Sequence, residues 1–169
     1  MLSRNACTWF PLFHALLVAE MLGRAILAFV LLPLTVAFAV PIAFLRPPAA
    51  ERTFHLAAVV PLLAGTVLLL WCVRDFYISG KGTLAPWSPP RNLVVVGLYR
   101  WSRNPMYIAV SLILLGWAAA YRSTALLRYA GFVAILFYVR VVMFEEPWLA
   151  RRYGEQWERY RAHVPRWFA

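Results

Sequence analysis

A chain of 169 residues that is 63 % hydrophobic and 14 % charged is too apolar for a water-soluble domain, which is about half apolar and about a quarter charged. Its length suits a single domain. The net charge of +10 is carried by arginine, with Lys81 the only lysine, and in an apolar chain it points to positive loops and anionic lipid rather than to nucleic acid. Cys7 and Cys72 are far apart in the sequence, and His14, His55 and His163 are isolated, so neither a disulfide framework nor a metal-ligand spacing is visible.

The N-terminal stretch Phe10 to Met21 is apolar but is interrupted by Glu20, Gly23 and Arg24. It reads as an interfacial or re-entrant helix, with a fifth span as the alternative. No small-residue cleavage site follows Arg4. A membrane span needs about 20 apolar residues. Ile26 to Leu45 meets that need, with Pro33 and Pro41 as kinks, and Phe54 to Val73 is a second span containing Pro61 and Gly65. Pro105 to Tyr121 is a shorter third. Tyr129 to Phe144, extended backward by Ala125 to Leu127, is a fourth.

Pro47-Pro48 joins the first pair of spans tightly, and Arg122 to Thr124 joins the second pair. Arg74 to Asn104 is a long Gly- and Pro-rich loop, and loops of that length are usually functional. After the fourth span, Leu149, Tyr153, Trp157 and Tyr160 repeat at helical spacing. Arg151, Arg152, Glu155, Glu158 and Arg159 fill the other side, as in an amphipathic interfacial helix. Glu155 and Arg159 stand at i,i+4 in the favourable order.

The expected fold is therefore all-α and polytopic, with about four transmembrane helices between an N-terminal interfacial segment and a C-terminal amphipathic helix. Its parts are residues 1–24, the first two spans in 25–73, a cytoplasmic loop 74–104, a helical hairpin 105–144, and a cytoplasmic tail 145–169. The loop carries Arg74, Lys81, Arg91, Arg100 and Arg103; the tail carries Arg151, Arg152, Arg159, Arg161 and Arg166. The positive-inside rule then puts loop, tail and both termini in the cytoplasm.

Three constellations could carry chemistry. Gly80-Lys81-Gly82-Thr83 permits close backbone approach to a ligand, although most such glycine pairs are only turns. Gly97 to Tyr107 gathers Tyr99, Arg100, Arg103, Asn104 and Tyr107 where the loop enters the third span. Pro105 suits the first helical turn, Asn104 is its expected cap, and the free amides of that end favour an anion. The adjacent carboxylates Glu145-Glu146 close the fourth span, and ionisable groups at membrane depth are functional-site candidates. The hairpin brings the second and third constellations together in a pocket holding both signs of charge.

Taken in order, Gly97-Leu98-Tyr99-Arg100, Arg103-Asn104-Pro105-Met106-Tyr107, Glu145-Glu146, Leu149, Tyr153-Gly154, Trp157, Tyr160 and Val164-Pro165 resemble the isoprenylcysteine carboxyl methyltransferase and phospholipid methyltransferase superfamily. The similarity covers residues 75 to 168. It implies a helical membrane enzyme that binds S-adenosylmethionine without a Rossmann domain. It also implies an acceptor, a phospholipid amine or an isoprenylcysteine-like carboxylate, that enters from the bilayer. It implies membrane lipids as surroundings. The arginine- and alanine-rich composition points to a bacterial inner membrane, the loop and tail arginines put the site on its cytoplasmic side, and neither nucleic acid nor metal is expected as a partner.

The resemblance puts Arg103, Asn104, Tyr107 and Glu146 in the catalytic set. The cofactor set is Gly80, Gly82, Gly97, Tyr99, Arg100, Arg103, Asn104, Tyr107, Glu145, Glu146 and Tyr160. Two positions depart from the family pattern. Asn104 stands where histidine is frequent, which removes a titratable group, and Ala109 stands where glycine is usual. A membrane reductase using NADPH and a non-enzymatic lipid-binding subunit are the competing classes.

Overall fold

The computed structural model describes residues 30–44, 55–80 and 92–168. The interfacial segment expected at 1–24, the Pro47-Pro48 turn, and Lys81, Gly82 and Thr83 lie outside the described residues. A π-helix, Val30–Ala39, runs on into α1, Val40–Phe44. A short 3₁₀ turn, Leu56–Ala58, leads into α2, Val59–Gly80. A second 3₁₀ turn, Gly97–Arg100, precedes α3, Pro105–Ala120. Then come α4, Thr124–Arg140, a π-helical turn Val141–Glu145, α5, Glu146–Tyr153, and α6, Glu155–His163. Every regular element among the described residues is helical.

α2 and α3 are antiparallel and make the most extensive helix contact. His55 N donates to Ala120 O at 2.8 Å and ties the start of one to the end of the other. Two glycines let the helices close. A Cβ on Gly65 would stand 2.7 Å from Ile113 Cγ1 and 2.9 Å from the Ala109 carbonyl oxygen, and one on Gly116 would stand 2.8 Å from Leu62 Cγ. Small residues at such crossings replace a hydrophobic driving force that lipid does not supply. The core built on this contact holds Leu69, Ala109, Val110, Ile113, Leu114, Ala130 and Val133.

Along α2 the buried positions Gly65, Leu69, Cys72 and Asp75 form one narrow stripe. The other faces expose Val60, Leu63, Val67, Leu70 and Ile78, and α4 exposes Leu127, Phe132, Ile135 and Leu136. Scattered exposed apolar residues are ordinary, but two helices apolar almost all round are not. Leu56–Gly80 and Thr124–Tyr153 are long and apolar enough to cross a bilayer. The other apolar helices, Pro33–Ala43 and Pro105–Ala120, are shorter, so two of the four expected spans reach full length among the described residues.

The prolines of the first helix have a visible consequence. Pro41 has no N–H to offer the carbonyl four or five residues back. Those carbonyls, Ala37 O and Val36 O, instead accept from Trp117 Nε1 at 3.0 Å and Tyr129 OH at 3.2 Å.

The helices differ from the sequence reading in three places. α2 continues through Arg74 and Asp75 to Gly80, where a loop was expected from Arg74. The fourth apolar helix begins at Thr124, capped by Ser123 Oγ accepting from Leu126 N at 3.3 Å, and runs on without a break past the glutamate pair. The tail is two helices, because Gly154 adopts φ +51 and redirects the chain, a backbone region that glycine enters without a steric penalty.

Candidate active site

The end of α2, the start of α3 and the end of α4 meet on one side of the bundle. The segment Asn92 to Asn104 and the C-terminal helices close over that side. Asn92 N donates to Gly80 O at 3.4 Å. Gly97 has φ +56 and packs directly on the buried carboxylate of Asp75: a Cβ there would lie 1.9 Å from Asp75 Oδ2. Only glycine lets the chain turn so close. The turn buries Tyr99 against Cys72 and Val94 and aims its carbonyl at α6, where Tyr160 OH donates to it at 2.6 Å.

Ser102, Arg103 and Asn104 are gripped by the segment Pro165-Arg166. Arg103 N donates to Pro165 O at 2.9 Å. Asn104 Nδ2 and Ser102 Oγ both donate to Arg166 O, at 3.0 and 3.3 Å. Asn104 does sit at the N-cap of α3, with Pro105 in the first turn, but its side chain makes no capping bond. The expected cap is thus replaced by a clamp on the tail.

The two glutamates part company. Glu146 accepts a bidentate pair from Arg166, Nε and Nη2 both at 2.8 Å. Arg103 Nη1 stands 3.0 Å from Glu146 Oε1 in an ion pair too misaligned for a hydrogen bond. Glu145 instead turns to the hairpin. Its Oε1 accepts from Tyr107 OH and from Arg140 Nε, the latter at 2.7 Å. Arg140 Nε also lies 3.1 Å from the Tyr107 oxygen.

These groups surround a chamber of about 790 Å³, within the size range of small-molecule sites. Among the expected residues, Tyr99, Arg103, Asn104, Tyr107, Glu145 and Tyr160 line it. Gly80, Gly97, Arg100 and Glu146 do not: Gly80 ends α2, Gly97 supports the Tyr99 turn, Arg100 is exposed, and Glu146 anchors the tail. Gly82 lies outside the described residues.

The chamber also draws in residues that sequence reasoning did not assign, namely Arg140, Phe137, Trp148, Arg151 and Trp157. Arg140 carried a signal, being a cation inside an apolar helix. Arg166, which holds Glu146, carried none beyond its charge.

Electrostatics distinguish the cations. Arg103 has a side chain only 9 % exposed, and its guanidinium stands 5.4 Å from the Trp157 ring centroid, within cation–π range. Burial pulls its affinity for the proton below the usual value, while Glu146 pushes it back up. Arg103 Nε and Trp157 Nε1 are buried donors with no hydrogen-bond partner among the described residues. Burial raises the phenols of Tyr99 and Tyr160, with Arg103 opposing the rise at Tyr160, so both stay neutral at physiological pH. Among the described residues no group of three metal-ligating side chains comes together.

The family model for phospholipid methyltransferase matches residues 53–156, more than half of the chain, and the chain belongs to that family. No curated protein and no solved structure matches it. The match takes in α2 to α5 and ends before Trp157, Tyr160 and Arg166.

Proposed function

From that membership, we propose that the chain is an integral membrane methyltransferase that uses S-adenosylmethionine and methylates a lipid amine arriving from the bilayer. All four apolar helices sit in the membrane in this reading. The arginine-rich end, where Arg100, Arg151, Arg152 and Arg159 are exposed and Arg151 lines the chamber, faces the cytoplasm of a bacterial inner membrane, in keeping with the positive-inside rule.

The observation that carries the proposal is the pairing, on one chamber wall, of a half-buried carboxylate, Glu145, and a buried guanidinium, Arg103. Opposite charges gathered in an apolar setting are rare unless they serve a ligand or each other. S-adenosylmethionine fits the set. The Arg103 guanidinium, which lines the chamber, suits its carboxylate, and the rings of Tyr107 and Trp148 suit a sulfonium or a base. Bound there, the cofactor supplies an electrophilic methyl group on a positively charged sulfur, a leaving group that needs no acid.

The remaining tasks fall to the chain. Glu145 Oε1 is held by Tyr107 and Arg140, and Oε2 has no hydrogen-bond partner among the described residues. That oxygen takes the proton from an acceptor ammonium, freeing the lone pair that attacks the methyl carbon. Met106, Val110, Leu136 and Phe144 form the apolar part of the chamber wall and exclude water, so that orientation and desolvation supply most of the acceleration. Asn104 does not titrate, so it takes no part in acid–base chemistry; its side chain fixes the tail over the site. Glu146 acts at one remove, as the anchor of Arg103 and Arg166.

Calorimetric titration of the full chain in nanodiscs with S-adenosylhomocysteine, and separately with NADPH, tests this reading. Binding of S-adenosylhomocysteine alone, with methyl transfer abolished in Glu145→Gln, supports it. Binding of NADPH alone moves the chamber to a reductase, and binding of neither leaves a lipid-binding protein.

A further inference from the structure

A second cavity adjoins the chamber. It is an apolar groove of about 520 Å³ along the α3–α4 face, reaching Trp167 and Phe168 at the end of the chain. Tyr107 and Phe137, with ring centroids 4.5 Å apart, line both spaces. They form the wall between the chamber and the groove. At the polar end of that wall stands Arg140, whose Nε reaches the Tyr107 oxygen.

We propose that Arg140 anchors the phosphate of the acceptor lipid and that the groove holds that lipid's chain. The inference deepens the methyltransferase reading and rests on it. Arg140 commits only Nε, to Glu145 and Tyr107. Its two terminal nitrogens have no partner among the described residues, and its side chain is half exposed at the chamber. A guanidinium fork at membrane depth is retained for a ligand or a partner charge. Its planar donors match two oxygens of a phosphate.

The ligand's two ends follow from the two spaces. An apolar chain along Leu112 and Leu115 leads past Phe137 to Tyr107. A phosphate at Arg140 then sets a group on a short linker beside Glu145, which Arg140 itself positions. The cofactor carboxylate is the other anion that could seek this arginine, but Arg103, deeper on the chamber wall, already suits it. A free phosphate would make no use of the groove.

The test compares two single-chain lipid amines, one with a phosphodiester headgroup and one without. The detergent-solubilised full chain is incubated with myristoyl-lysophosphatidylethanolamine or with tetradecylamine, and bound lipid is counted by native mass spectrometry. Affinity for S-adenosylhomocysteine is measured by calorimetry on the same samples. The wild-type chain is expected to prefer the phosphate-bearing lipid at least tenfold. Arg140→Gln is expected to erase that preference with S-adenosylhomocysteine affinity within twofold, and Arg140→Lys to keep part of it.

An unchanged preference in Arg140→Gln overturns the inference. So does a loss confined to S-adenosylhomocysteine, which would give Arg140 to the cofactor. Wild-type protein that discriminates between the lipids but binds no S-adenosylhomocysteine would overturn the methyltransferase reading instead, with the phosphate site intact.

Discussion

Removing the Glu146 carboxylate is expected to open the tail without destroying the chamber. Glu146→Ala strands two guanidiniums at once. The Arg103 side chain is 9 % exposed and Glu146 itself 12 % exposed, whereas Arg166 is 33 % exposed. Breaking a buried ion pair by deleting one partner costs about 3–5 kcal/mol, and the part owed to Arg166 is reduced by solvent screening. We therefore expect about 3 kcal/mol of local destabilisation, which at about 1.4 kcal/mol per decade is roughly two orders of magnitude in the opening equilibrium.

The reporter is hydrogen exchange at the Arg103 amide, which donates to Pro165 O and is released only when the tail lifts. Exchange there should accelerate by about that factor, while amides in the middle of α3 stay protected. Arg166→Ala should act in the same direction but more weakly, because it leaves the Arg103–Glu146 ion pair in place. The double variant should add little to Glu146→Ala, which already removes the Arg166 pair. Glu145→Ala should leave the Arg103 amide protected. Unaltered exchange in Glu146→Ala, or equal acceleration in Glu145→Ala, would refute the division of labour between the adjacent carboxylates.

Other outcomes follow from single contacts. Gly97→Ala combines a left-handed backbone with a Cβ 1.9 Å from Asp75 Oδ2 and should lower stability by about 2–4 kcal/mol in a detergent melt; adding Asp75→Ala should recover only the overlap part. Gly116→Ala meets Leu62 Cγ at 2.8 Å, a side chain that can be trimmed, so Leu62→Ala should partly rescue it. Gly65→Ala meets the Ala109 carbonyl, and no side-chain change should relieve that contact. Tyr160→Phe deletes the bond to Tyr99 O and should destabilise by about 1 kcal/mol in the same melt.

The buried phenols make a pH prediction. Folded-state values for Tyr99 and Tyr160 lie above the ordinary tyrosine value. Their contribution is therefore fully present below pH of about 10 and is lost as pH rises through the folded values. Tyrosinate absorbance should show these residues ionising late, and ionising together with unfolding.

Some of this was legible in the chain and some was not. Apolar stretches announced the helices, and the turn at Arg122 and Pro105 in the first turn of α3 followed from local rules, because capping and turn chemistry depend on neighbours in sequence. Helix ends were less legible. α2 carries Arg74 and Asp75 inside it, since Asp75 is shielded by the Gly97 turn, a contact between residues far apart in the chain. The tail breaks at Gly154, which pattern alone reads through, because the apolar spacing on either side still fits one helix.

The residue types of the chamber were equally visible, being tyrosines, arginines and acids crowded into an apolar chain that would otherwise exclude them. What sequence could not separate was Glu145 from Glu146. Adjacent residues on a helix point about 100° apart, so which one faces the chamber depends on how α4 rotates against α3 and on where the tail returns. Packing decided that Glu145 meets Tyr107 and Arg140 while Glu146 is taken by Arg103 and Arg166. Composition and periodicity determined that this is a helical membrane chain with one charged end; only the tertiary contacts decided which charges serve the cavity and which hold it shut, because burial and pairing are properties of neighbours in space.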